Sequence, residues 1–318
     1  MNNQLINHRE KEYLYLINYN PKLEEGLCML EMKCFFNKLP QNKYLFSDTY
    51  VNPSRSTFIK EMISIIYKEN SLEKIIERIV KDRLAYDDFK VCYVKLESNN
   101  IPYEDRLKSV REIGYVITGF PDIHNPKILL GITKVNDDWI FGEYIRNDFE
   151  WHIHDSKPCT YSNSLSAKVA RTLVNIAVKN DLSTKLIDPC CGVGTVVIEA
   201  LSMDIDVVGY ELNNSIAENA QRNLEFFGYD NVITSGNMHD IKEKYDAAIL
   251  DLPYGLFTPT TREAQVALIN TAHKIADRVI LVTFEDLDKY IIDAGFTIVD
   301  ECSVSKGNFI RYIKVLKA

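Results

Sequence analysis

Thr297-Ile298-Val299-Asp300-Glu301-Cys302-Ser303-Val304 and Phe309-Ile310-Arg311-Tyr312-Ile313-Lys314-Val315-Leu316, joined by Ser305-Lys306-Gly307-Asn308, read as two strands around a tight turn. A short polar connection containing glycine makes such a pair an antiparallel hairpin. Upstream of it the pattern changes. Residues 247–250 and 279–283 are short apolar runs of the kind a buried parallel strand requires, and helical stretches at 262–276 and 286–294 alternate with them. Earlier still come strands at 185–188, 206–211 and 232–234. Between these lie a helix at 195–203 and another capped by Asn214 and stopped by Gly228. A helix at 166–179, with Val169, Leu173, Ile176 and Ala177 on one face, opens the series. Strand and helix in alternation imply a doubly wound parallel α/β sheet, here finished by an antiparallel hairpin.

The polar stretch His154-Asp155-Ser156-Lys157-Pro158 divides the chain, giving expected domains of 1–155 and 156–318. The first half mixes strands (12–19, 44–51, 89–96) with helices (22–36, 57–67, 72–84, 104–117), and residues 127–135 and 139–145 form an antiparallel pair around Asn136-Asp137-Asp138. It has no glycine-rich phosphate loop and reads as an α+β region.

The 318 residues are 46% hydrophobic and 26% charged, ordinary globular composition and enough for two domains. No run approaches the apolar length of a membrane span, and Met1-Asn2-Asn3-Gln4 lacks a signal pattern, so a cytoplasmic location is expected. Seven cysteines without a Cys-x-x-Cys pair suggest neither a disulfide framework nor a structural zinc site. A net charge of −8 argues against a generally basic nucleic-acid binder, although a local basic face is compatible with it.

Three strand ends carry the chemistry of a nucleoside site. Asp188-Pro189-Cys190-Cys191-Gly192-Val193-Gly194-Thr195 leads from a strand into a helix, with Gly192 and Gly194 letting backbone approach a ligand closely. Glu211 ends the next strand, placed to accept both hydroxyls of a ribose. After the third strand, the amide oxygen of Asn237 can accept from an adenine amino group and Met238 can pack on the ring. In sequence order these groups read as an S-adenosylmethionine site. A fourth strand then ends in Asp251-Leu252-Pro253-Tyr254-Gly255, which joins a carboxylate, a stiffened backbone carbonyl and an aromatic face. That set suits an exocyclic amine on a flat base. Its lone pair is delocalised into the ring, and two acceptors for its hydrogens localise the pair while the tyrosine stacks.

Asp188 to Thr195 with Ile198-Glu199-Ala200, followed by Asp251 to Gly255, resembles the THUMP-associated tRNA guanine-N2 methyltransferases of the guanosine-ten type, which are class I S-adenosylmethionine-dependent enzymes. Lys157-Pro158, Ala170 to Ala177, Tyr13 to Leu16, Leu30-Glu31 and Ser54 to Lys60 are also similar to that family. The resemblance implies a C-terminal class I methyltransferase fold, Rossmann-like with a terminal antiparallel hairpin. It also implies an N-terminal ferredoxin-like and THUMP region that grips tRNA. Asp188, Gly192 and Gly194 would then border the methionine part of the cofactor, with Cys190 filling the loop beneath it. Glu211 would hold the ribose, Asn237 and Met238 the adenine. Asp251 would accept from the guanine amine, assisted by the carbonyl of Leu252 or Pro253, and Tyr254 would stack on the base. The chain departs from the family's usual pattern at Leu252, where a proline is common, and at Asn237, where an aspartate is.

Trp151-His152-Ile153-His154-Asp155 has metal-like spacing but reads as a strand linking the domains, and no metal site is expected. Two other functions fit the same motif. One is amino methylation of another nucleic acid, at guanine N2 of ribosomal RNA or adenine N6 of DNA. The other is an RNA-binding relative without turnover. Whether an activating protein subunit is needed is unknown from sequence.

Overall fold

A computed structural model describes residues 11–97, 100–161, 164–253, 260–306 and 309–318. The chain forms two compact units. One comprises the described residues up to Asn18 with Lys38–Ser54 and Phe58–Asp148; the other comprises Tyr19–Asn37, Arg55–Thr57 and Phe149–Ala318. A single boundary at 155/156 would leave the helix at Glu25–Phe36 in the first half, whereas that helix folds with the second unit.

The first unit contains β1 (Tyr13–Ile17), β2 (Tyr44–Ser47), β3 (Ile59–Glu69), β4 (Phe89–Tyr93), β5 (Ile128–Val135) and β6 (Asp138–Arg146), in the sheet order β2-β1-β3-β6-β5-β4. Only the β4–β5 pairing is parallel. The β5–β6 hairpin turns at Asn136, whose φ of +53° is the left-handed geometry a tight hairpin turn uses. β3 corrects the helix expected at 57–67. Its apolar residues recur at 58/59, 62/63 and 66/67, as on a helix, because Met62 is buried on the same face as the exposed Lys60, while Glu61 occupies a buried position on the opposite face. Ile59, Glu61, Met62 and Ile63 are all buried, which removes the alternation that marks a half-exposed strand, and a bulge at Ile65/Tyr67 shifts the register once more.

In the second unit, α1 (Glu25–Phe36) packs on α4 (Ala167–Val178). The helices α2 (Leu72–Lys81) and α3 (Tyr103–Val116) belong to the first unit. α4 is buried nearly all round, lying between α1 and the sheet, and its buried polar residues Arg171, Thr172 and Asn175 share one stripe along it. The sheet is built from β7 (Leu186–Asp188), β8 (Val207–Glu211), β9 (Ile233–Ser235), β10 (Tyr245–Asp251), β11 (Ala276–Thr283), β12 (Thr297–Lys306) and β13 (Phe309–Lys317). Its order is β12-β13-β11-β10-β7-β8-β9, parallel from β11 to β9, with β13 antiparallel to both its neighbours. This is the expected doubly wound sheet with a terminal hairpin, the class I methyltransferase fold. The intervening helices are α5 (Thr195–Leu201), α6 (Asn214–Phe226), α7 (Arg262–Ile275) and α8 (Asp288–Asp293). Asn213, one residue before the expected cap, caps α6 by accepting from the N–H groups of Ser215 and Ile216. No helix among the described residues is long and apolar enough to cross a membrane.

Residues 150–156 form a short 3-10 helix, correcting the linking strand expected there. The tighter winding sends the two histidines apart. His152 is exposed, while His154 is buried and its Nδ1 lies 2.8 Å from Oε1 of Glu199.

Candidate active site

The carboxyl ends of β7, β8 and β10 are neighbours, and each presents a carboxylate. On β7, Asp188 is buried and its Oδ1 accepts the Cys190 N–H at 3.3 Å. Burial raises its carboxyl well above the ordinary range; the Cys190 N–H opposes this, and the negative charges of Asp251 and Glu211 reinforce it. The loop that follows turns through Gly192 (φ +53°) and Gly194 (φ +81°) into α5. A side chain at 194 would press on Ala220, with a Cβ 3.3 Å from that methyl group, so this glycine serves packing as well as conformation. At 192 a Cβ would meet no atom of the described residues within 4 Å. That glycine borders open space.

Glu211 joins two of these loops. Its Oε2 accepts the Gly192 N–H at 3.0 Å and its Oε1 accepts the Asn213 N–H at 2.8 Å, which fixes the carboxylate at the end of β8. Asn237 spends its side-chain oxygen locally, accepting the His239 N–H at 3.0 Å and capping the short 3-10 turn Met238–Asp240. Met238 is buried in the sheet's core cluster, its sulfur 3.7 Å from that of Cys190. Burial pushes the Cys190 thiol up, as the nearby carboxylates do, so it is an inert packing group rather than a nucleophile.

Asp251 ends β10. Its Oδ1 is buried and has no hydrogen-bond partner among the described residues. Burial pushes its carboxyl up to about 7, and the Arg311 guanidinium works in the opposite direction. Leu252 is buried in the same core cluster as Met238. The Pro253 carbonyl accepts from Nε2 of Gln265 at 3.1 Å. Tyr254 lies outside the described residues.

Two residues close to Asp251 escaped the sequence reading. Arg311 is a cation on the inward register of β13, in line with the buried Ile313 and Val315, and its guanidinium lies 5.2 Å from the centre of the Phe284 ring. Gln265 is a buried amide on the face of α7 that also carries Ile269 and Ala272. In each case the signal was present: a polar group at a position where the strand or helix period demands an apolar one.

Residues 155–283 match the model of the UPF0020 family, described as RMKL-like, methyltransferase domain. A tRNA (guanine(10)-N2)-dimethyltransferase of Methanothermobacter thermautotrophicus is 31% identical over 179 residues, which are 51% of this chain and 53% of that enzyme. The chain thus spans about half the length of that curated relative. The enzyme of the same name from Methanocaldococcus jannaschii is 24% identical over 302 residues, 83% of this chain and 85% of its own. Among solved structures, TrmN from Thermus thermophilus aligns with 96% of this chain and 99% of its own at 15% identity, with a TM-score of 0.46.

Proposed function

We propose that this chain, whose residues 155–283 match the RMKL-like methyltransferase domain, is an S-adenosylmethionine-dependent enzyme that methylates the exocyclic N2 of a guanosine in tRNA. The observation that carries the reading is Oδ1 of Asp251, a buried acceptor without a partner among the described residues, at a strand's carboxyl end beside the Asp188 and Glu211 loops. Ligands of open α/β sheets bind at that edge. Buried polar atoms are nearly always satisfied, and one that is not calls for a ligand hydrogen.

The residues present fit the cofactor. The open space at Gly192 admits a group where any side chain would intrude, and the acceptor set of Asp188 and Glu211 suits an ammonium and a ribose diol. We assign Asp188, Cys190, Gly192 and Gly194 to the methionine end, Glu211 to the ribose, and to the adenine Met238 with Asn237, whose amide oxygen has a second lone pair beyond the one the His239 N–H takes. When bound, S-adenosylmethionine supplies an electrophilic methyl carbon on a sulfonium.

The chain's own part is to position the amine. Asp251 accepts one N2 hydrogen and a backbone carbonyl of the same turn accepts the other. Held by two acceptors out of the ring plane, the nitrogen becomes pyramidal and its lone pair turns toward the methyl carbon. Once the new N–C bond forms, the nitrogen carries a surplus acidic proton. A carboxylate titrating at about 7 can hold that proton at Oδ1 before passing it to water. The base must leave its stack to reach the pocket, at a cost of a few kcal/mol that stacking on Tyr254 partly offsets. We assign tRNA binding to the first unit as a THUMP-like module and place the protein in the cytoplasm.

Incubation with labelled S-adenosylmethionine and separate pools of tRNA, ribosomal RNA and DNA tests this reading. Label in tRNA supports it. Label in DNA or ribosomal RNA alone moves the activity to another nucleic acid, and cofactor binding without transfer to any pool leaves an RNA-binding relative.

A further inference from the structure

The turn that carries Asp251 is held from two sides. Leu252 donates its N–H to the Val282 carbonyl at 3.0 Å, which extends the β10–β11 ladder by one residue past Asp251. Gln265 Nε2 donates to the Pro253 carbonyl at 3.1 Å from the first turn of α7. The orientation of that amide is fixed by its other end, where Oε1 accepts from Nη1 of Arg262 at 3.2 Å; Arg262 in turn pairs with Glu285. A guanidinium only donates, so the oxygen must face Arg262 and the NH₂ group must face Pro253. The Leu252 side chain is buried in the core cluster, 1% exposed. Three of the four groups around the Leu252–Pro253 peptide are therefore fixed: the Leu252 N–H, the Leu252 side chain and the Pro253 carbonyl.

We propose that Gln265 is a positioning residue: by taking up the Pro253 carbonyl it makes the Leu252 carbonyl the acceptor that works beside Asp251. The proposal rests on the amine-methylation reading above. It also gives a physical sense to the departure at Leu252. A proline there would set φ through its ring but could not donate to Val282. In this chain a ladder hydrogen bond and the Gln265 amide supply the restraint instead.

The test uses the full chain and two variants, Gln265→Met, of similar shape without a donor, and Gln265→Glu, whose carboxylate pairs with Arg262 and cannot donate to Pro253. Three readouts are taken for each: amide hydrogen exchange within residues 249–253, where Pro253 carries no N–H and Leu252 is the last reporter, cofactor affinity, and the single-turnover rate of methyl transfer. Small misplacements at a reacting centre cost up to about a hundredfold. Both variants are expected to slow transfer by about tenfold to a hundredfold, with cofactor affinity within about twofold of the parent. Exchange at Leu252 is expected to accelerate by about tenfold, the mark of a lost local restraint. Exchange at 249–253 unchanged from the parent overturns the proposal, as does a Gln265→Glu protein that transfers at the parental rate. Rate and cofactor affinity falling together by the same factor would indicate a merely structural role and also overturn it. If the parent methylates no amine in any pool, the amine reading fails, and the exchange result alone decides whether Gln265 braces the turn.

Discussion

The second unit contains two groups of buried carboxylates that differ in one respect. Around α1, α4 and α5 every carboxylate is matched. Glu199, fully buried, has His154 on one oxygen at 2.8 Å and Arg171 on the other at 3.0 Å. Glu31, also fully buried, accepts from Ser56 and from Asn175, and Arg171 and Asn175 both reach the Arg55 carbonyl. At the edge of the sheet, by contrast, Asp251 keeps an oxygen buried without a partner among the described residues. Titration does not separate the two groups, because burial pushes both Glu31 and Asp251 up to about 7. Hydrogen bonding does. A matched network ties helices together, whereas an unmatched acceptor is a cost to folding that only a ligand can offset.

Breaking the matched group should produce the largest effect on stability. Glu199→Ala leaves the Arg171 charge buried without its counterion and is expected to cost about 3–5 kcal/mol, read as a fall in denaturation midpoint at unchanged m-value. Breaking the unmatched one should do the reverse. Asp251→Ala is expected to lower transfer by about a hundredfold to a thousandfold, with cofactor affinity held and melting temperature held or raised, because among the described residues no hydrogen bond to Oδ1 is lost. A large fall in melting temperature would put Asp251 in the matched group. A smaller effect is expected at Gly192, where the left-handed backbone makes Gly192→Ala cost about 1–2 kcal/mol in stability. No atom of the described residues would meet the new methyl, so a further loss in calorimetric cofactor affinity is expected from its contact with the ligand.

The pH dependence gives the smallest change. Asp251 must be ionised to accept the amine hydrogens, and its carboxyl is raised, so the active form is lost as pH falls through about 7. The transfer rate should therefore rise only about twofold from pH 7 to pH 8 and fall by about tenfold per unit well below 7. Arg311 on β13 favours the ionised form of Asp251 against its burial, and the Asp251 charge in turn raises Asp188 on β7. An Arg311→Met protein is accordingly expected to show the same profile displaced to higher pH.

The sheet was legible in the sequence because its strands and helices have clean periods and polar punctuation, and the closing hairpin left one architecture. β3 was not, because a buried Glu61 on one face and a buried Met62 on the other break the alternation that would mark it. The short helix at 150–156 was misread because His152 and His154 are spaced as alternate strand positions, and only the partner Glu199, far along the chain, reveals which of them is buried. The motif residues Asp188, Glu211 and Asp251 were visible as strand-end carboxylates. Their hydrogen bonds were not, and these change the picture. Asn237 caps its own turn, and the Pro253 carbonyl accepts from Gln265. Gln265 and Arg311 approach Asp251 from α7 and β13, and contacts across that separation are set by the fold rather than by local pattern.

The most direct test is to identify the nucleoside that the unaltered protein labels. tRNA methylated with labelled S-adenosylmethionine is digested to nucleosides and resolved by mass. The account predicts label in N2-methylated guanosine, with none in nucleosides methylated on a ring carbon, a ring nitrogen or the ribose. Label at a ring carbon, a ring nitrogen or a 2′-oxygen would contradict it, since none of these presents two amine hydrogens to Asp251 and the carbonyl beside it.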